Sequence, residues 1–217
     1  MRPISKLEQR ILDISYKHKL SHISSCLTAL KLIDSIYLSK KDDEPFVLAN
    51  GHAALALYVI LEKTYFKDAE KLWEKHGTHP NRDIKDKIDC STGSLGQGLP
   101  IAVGMAIADP STTTWVLTSD GDMNEGSNWE ALRIAGEMRL ENLRVMVNAN
   151  GTSAYGKTDV DMLDTRMQMF YPSLVIKTDL FEWPHYLSGF DGHYHVLTKE
   201  EYEKDVLPRT VGSSKKE

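Results

Sequence analysis

With 217 residues, 41% of them apolar and 26% charged, the chain can bury a core of its own, and the composition excludes a fibre or a disordered tract. The formal net charge of -5 is mild and the lysines are scattered, which argues against a nucleic-acid partner. Cys26 and Cys90 are the only cysteines, too few for a disulfide framework; no run approaches the ~20 apolar residues that cross a bilayer and the N-terminus lacks an apolar signal core, so a cytoplasmic protein without membrane contact is expected.

In chain order, Leu7, Ile11, Leu12 and Ile14 recur at helical spacing, as do Leu27, Leu30, Ile33, Ile36 and Tyr37. Residues 5–18 and 24–38 are therefore predicted to be amphipathic helices. "EPFVLAN" reads as a buried strand, and "GHAALALYVILEKTYF" continues as a helix rich in alanine and leucine, with a glycine and a histidine at the junction. "KDAEKLWEKHG" is a surface helix and "THPNRDIKDKID" an irregular loop. "CSTGSLGQGLPIAVGMAIADP" runs from glycines and small hydroxyls into an apolar helix, with Pro100 placed where a first-turn proline forfeits no intrahelical bond.

"TTWVLTS" is β-branched and aromatic, hence a strand, and "NWEALRIAGEMR" a helix with Trp129, Leu132, Ala135 and Met138 on one side. "LRVMVNAN" is a further strand. Strand, helix and strand at this spacing make a βαβ unit, so the expected fold class is α/β, a doubly wound, mostly parallel sheet flanked by helices. Beyond Gly156, "SLVIKT" and "HYHVL" are candidate strands and "KEEYEKDVL" a candidate helix. One domain is expected over residues 1–205, with 206–217 as a flexible tail.

The chemistry concentrates in "SDGDMNEGSNWEAL", residues 119–132, where three carboxylates and two glycines sit between a strand and a helix. In open parallel sheets ligands gather beyond the carboxyl ends of the strands. Asp120 lies at such an end, although a lone carboxylate there also reads as a helix cap, and Asp122 and Glu125 as complements to the helix dipole. The next strand delivers Asn150 to the same edge, thirty positions later. With the carbonyl of Thr152, Asp120 and Asn150 offer three hard oxygen donors beside Gly151, a set suited to Mg²⁺ and, through it, to a diphosphate.

Asp-Gly at one strand end and Asn about thirty residues on, with "EG..WEAL..A" between, resembles the thiamine diphosphate motif of transketolases. "FVLANGHAALALYVIL", "STGSLGQGLPIAVGMAIA" and "LTALKLIDSIY" resemble other segments of that family in the same order, over roughly residues 20–160. The resemblance implies thiamine diphosphate and Mg²⁺ as cofactors, the metal on Asp120, Asn150 and Thr152. It implies His52 on the diphosphate, the backbone of Gly93, Ser94 and Leu95 beside the cofactor, Gly121 leaving room for phosphates, and Glu125 near a second polypeptide. His22 and His79 correspond to family histidines that face substrate hydroxyls. His18, His76, His185, His193 and His195 are read as structural or exposed; His193, within "FDGH", resembles a late family motif.

The implied reaction is transfer of a two-carbon ketol unit between sugar phosphates, and the implied partner a separate pyrimidine-domain subunit, in a dimer or heterotetramer. Other readings stay open: half of a deoxyxylulose-phosphate synthase-like transferase, or a shortened non-catalytic cofactor-binding or interaction protein. Asn148 stands where the family often has an acid, and residues 160–190 match nothing in it.

Overall fold

Phe46–Leu48 (β1), Thr114–Ser119 (β2), Leu143–Ala149 (β3) and Leu174–Lys177 form one parallel sheet in that spatial order. The computed structural model describes residues 2–153 and 155–210. Because side chains alternate across a strand, Phe46, Leu48, Leu117 and Met146 face one layer, while Val47, Val116, Val145 and Val147 face the other. Both faces are therefore apolar, as expected of a parallel sheet covered on each side.

The first layer holds Lys6–His18 (α1), Ile23–Ser39 (α2) and Ala54–Tyr65 (α3), with Ala69–His76 (α4) packed on α3. Ser5 starts α1 with a reciprocal cap: its Oγ accepts the Glu8 N–H and the Glu8 carboxylate accepts the Ser5 N–H. The second layer holds Gly98–Ala108 (α5), Gly126–Glu137 (α6) and Val160–Phe170 (α7). Between β3 and α7, Thr152–Ser153 (β4) and Gly156–Lys157 (β5) form a two-stranded antiparallel ribbon; Leu174–Lys177 is the sheet's β6. Short helices Gly189–Tyr194 (α8) and Lys199–Glu201 (α9) follow β6.

The predicted strands through "LRVMVNAN", and "SLVIKT", are present. "HYHVL" is not a strand: the His193 carbonyl accepts the N–H of His22 at 2.9 Å and so serves the start of α2. Met138 is 52% exposed, because α6 stops at Glu137 and Arg139 turns left-handed at φ 52°. "KEEYEKDVL" is helical only at α9 before widening into a π turn over Tyr202–Val206. Of the tail expected over 206–217, the described part packs on the fold. Val206 is buried, Leu207–Arg209 form a 3₁₀ turn, and Thr210 bridges to Ile4; residues 211–217 lie outside the described chain. Among the described residues, no helix is long and apolar enough to cross a membrane.

Candidate functional site

At the carboxyl edge of the sheet, β2 and β3 run side by side with Ser119 opposite Asn148, so the residues just beyond them meet. Asp120 is 1% exposed. Its Oδ2 accepts the Gly151 N–H at 2.7 Å and its Oδ1 the Gly121 N–H at 3.1 Å, which joins the two tips directly. Asn150 closes a local turn, its Oδ1 accepting the Thr152 N–H at 2.9 Å. Asp120 has no ion pair among the described residues. Burial pushes its carboxyl up to about 6, opposed by the N–H donors of Gly151 and Gly121. A divalent cation at this spot would supply the positive charge that the buried Asp120 carboxylate lacks, which is the chemistry an Mg²⁺ ligand needs.

These tips open into a cavity of about 400 Å³. Of the residues singled out above, His22, His52, His79, Gly93, Leu95, Asp120, Gly121, Asn150 and Thr152 wall it; Ser94 and Glu125 do not. Ser94 is exposed, and Glu125 instead accepts a hydrogen bond from the Tyr155 hydroxyl at 3.0 Å.

The opposite wall is built from histidines. His22, at the start of α2, adopts a left-handed φ of 62°, uncommon for a side chain with a Cβ, and its Nδ1 is buried without a partner. His52 sits in the 3₁₀ turn Gly51–Ala53 that follows β1. Their ring centroids lie 5.3 Å apart, and the ring of His193 lies 4.4 Å from His22 and 5.1 Å from His52. Burial, then the charge of His193, lowers His22 to about 4 and His52 to about 3; burial also lowers His193. All three are neutral imidazoles at neutral pH.

His193, which the sequence pattern places among the structural ones, thus walls the same cavity; its "FDGH" context is the available signal. Asn50 carries no such signal: it is 1% exposed, walls the cavity, and has a buried Oδ1 with no partner. Asn148 stands out in the sequence only as a departure from the family. Its amide is held by Thr28 Oγ1 at 3.0 Å and Thr178 Oγ1 at 2.6 Å, at the cavity wall.

Glycines let the loops close on one another. A Cβ on Gly51 would lie 2.7 Å from the Gly93 nitrogen, and one on Gly93, whose φ is +149°, 2.8 Å from the His79 ring. The loop before α5 is therefore pressed against both histidine-bearing turns. Elsewhere, His18 with Glu70 and Glu74, and His76 with Asp83 and Asp86, form compact clusters, but Lys17 lies 2.6 Å from Glu70 and Lys75 2.7 and 2.6 Å from Asp83 and Asp86. Those carboxylates are already matched. Both cysteines are free and buried.

A family profile described as "Transketolase, thiamine diphosphate binding domain" matches residues 34–174. The chain belongs to this transketolase family. It is 32% identical over 174 residues to one of the named subunits of apulose-4-phosphate transketolase from Phocaeicola vulgatus, covering 71% of this chain and 62% of that one. It is 32% identical over 173 residues to a transketolase of Buchnera aphidicola, covering 70% of this chain and 25% of the relative. The chain thus spans under two thirds of the former and a quarter of the latter. A transketolase from Pichia stipitis, crystallised with xylulose 5-phosphate, superposes with a TM-score of 0.62 at 22% identity, over 80% of this chain and 36% of that chain, a likeness of fold. The α/β class and the transketolase resemblance are both borne out.

Proposed function

We propose that this transketolase-family chain is the diphosphate-binding half of a thiamine diphosphate- and Mg²⁺-dependent transferase, completed by a separate pyrimidine-domain subunit, that moves a two-carbon ketol unit between sugar phosphates. The observation that carries the reading is the buried, unpaired Asp120 carboxylate at the joined tips of β2 and β3, facing a histidine-walled cavity. The naming of the Phocaeicola relative as one subunit of its enzyme supports a split arrangement.

In this reading Asp120, Asn150 and the Thr152 carbonyl hold the metal, and Gly121, with the Gly93–Leu95 backbone and His52, receives the diphosphate. When bound, thiamine diphosphate supplies a thiazolium that acts as the electron sink for carbon–carbon cleavage. The chain's own residues position and manage protons. His22 and His193, neutral at pH 7 and partly desolvated, can accept a hydrogen bond from a substrate hydroxyl, and His79, packed on Gly93, brings a further imidazole to the same wall.

Calorimetric titration of the full chain with thiamine diphosphate in Mg²⁺ tests the reading. Binding that disappears when Mg²⁺ is replaced by a chelator is expected, with turnover only once a pyrimidine-domain partner is supplied. Absence of binding both alone and with that partner present would refute it.

A further inference from the structure

Asp122 is 0% exposed, yet it does not wall the cavity and forms no ion pair among the described residues. Its two carboxylate oxygens point to different parts of the fold. Oδ1 accepts the Gly96 N–H at 2.6 Å, and Oδ2 accepts the Thr118 hydroxyl of β2. Its backbone is held as well: the N–H donates to Ser119 Oγ at 3.1 Å, and the carbonyl accepts from Asn128 Nδ2 at 2.7 Å. Neither oxygen is left to cap α6.

Gly96 is gripped from both sides by this segment, since Ser127 Oγ donates to its carbonyl at 2.5 Å. Gly96 has a φ of +81°, and a Cβ there would meet Glu125 Cβ and Ser127 Oγ at 2.6 Å, so the approach is close as well as hydrogen-bonded. The other end of the loop is pinned to β1, where Thr92 Oγ1 donates to the Leu48 carbonyl at 2.7 Å. Gly93, Ser94 and Leu95 therefore hang between two anchors, one on β1 and one on the segment that carries Asp120.

We propose that Asp122 is a positioning residue: its buried carboxylate ties the Gly93–Gly96 loop to the tip of β2, so that the loop's backbone N–H groups and the Asp120 metal site are held at one spacing and engage the same diphosphate. The role rests on the thiamine diphosphate reading above. A carboxylate beside an anion site is electrostatically unfavourable in itself, so what Asp122 contributes is geometry, and a neutral group of the same shape suffices.

The test measures two quantities on the full chain: the affinity for Mg²⁺–thiamine diphosphate, and amide hydrogen exchange at residues 92–97 without ligand. Asp122→Ala is expected to weaken the affinity about tenfold, the scale of leaving one buried donor, the Gly96 N–H, without its acceptor, and to speed exchange at Gly96. Asp122→Asn keeps an acceptor for the Gly96 N–H and a donor toward Thr118, and is expected to stay near wild type in both. Ser127→Ala, which cuts the other tie, is expected to shift both quantities in the same direction, and the two losses to combine less than additively. A purely structural role would lower the melting temperature of Asp122→Ala while leaving affinity unchanged well below it; that result, or an Asp122→Asn as impaired as the alanine variant, overturns the proposal. Should Asp122→Ala not fold, unchanged affinity and exchange in Ser127→Ala overturn it equally. A wild-type chain that binds no cofactor would sink the functional reading instead, and the exchange rates would still decide whether Asp122 holds the loop.

Discussion

Gly51→Ala isolates the contact on which the cofactor edge depends. An alanine Cβ at residue 51 would lie 2.7 Å from the Gly93 nitrogen, 2.7 Å from the Thr92 carbonyl carbon and 2.8 Å from its oxygen. All three are backbone atoms, so no rotamer change relieves the overlap. Reaching ordinary contact requires the 92–93 segment to retreat by about 0.7 Å, and overpacking of that kind costs about 1–3 kcal/mol. Against it stands the gain from stiffening the unfolded chain, about 0.4–1 kcal/mol for any tolerated Gly→Ala change. The net is a loss of about 1–2 kcal/mol, which lowers the melting midpoint of a domain this size by about 3–6 °C. Gly104→Ala is the control: it lies within α5, exposed, and a Cβ there meets nothing within 4 Å. Only the entropic and helix-propensity gains operate, so its midpoint is expected to rise by about 2 °C. Differential scanning calorimetry of the two variants decides the matter. Equal shifts of the same sign would show that the Gly51–Gly93 approach places no demand on the residue.

Asp120→Ala removes the one carboxylate of the proposed metal set. Since loss of an outer-shell partner already costs ~10–100-fold in metal affinity, calorimetry is expected to show at least a hundredfold loss of Mg²⁺-dependent cofactor binding in a chain that still folds; unchanged affinity would defeat the metal assignment. His22 and His52 have folded-state pKa values of about 4 and 3, below the ordinary 6.5, so the unfolded chain binds more protons between these limits. Stability is therefore fully present above pH 6.5 and falls as the pH drops toward 4; urea unfolding at pH 7 and pH 5 should show the loss, and His52→Gln should reduce it. A flat profile would mean the cluster is wetter than its packing indicates. His79→Ala, in a complex reconstituted with a pyrimidine-domain partner, should lower turnover more than cofactor affinity, and an unchanged rate would remove His79 from the substrate side.

The sheet is legible in the sequence because its strands are short apolar runs set between helical periods: β2, α6 and β3 alternate between periods of two and 3.6 with glycine at the turns. The meeting of the two strand tips is legible for a related reason. Once β2 and β3 are known to be parallel neighbours, the residues after them must lie side by side, and Asp120 and Asn150 do. The chain beyond β3 resists reading because its parts are held by long-range contacts. His193 reaches the site from a six-residue helix with no strong period, and its place is set by the hydrogen bond to the His22 backbone and the 3.2 Å approach to Ser25 Oγ, both some 170 positions away. Asp122 shows the converse: its spacing suits a helix-dipole complement, and only the course of the Gly96 loop shows its carboxylate to be otherwise engaged.

Charge supports the proposed pairing of metal and diphosphate. No lysine or arginine is among the described residues that wall the cavity, while Asp120 and Asp179 are. The histidines do not help, because burial keeps His22 and His52 neutral at physiological pH. A free diphosphate approaching this wall meets hydrogen-bond donors but a negative field, and in a partly desolvated cavity that field is screened far less than at a surface. In the proposed enzyme, a divalent cation held by Asp120 would reverse the local sign and so make a diphosphate acceptable there. Among the described residues the cavity wall holds no guanidinium or ammonium for a sugar's phosphate, so in the proposed enzyme such a contact would fall to the surface that docks over it.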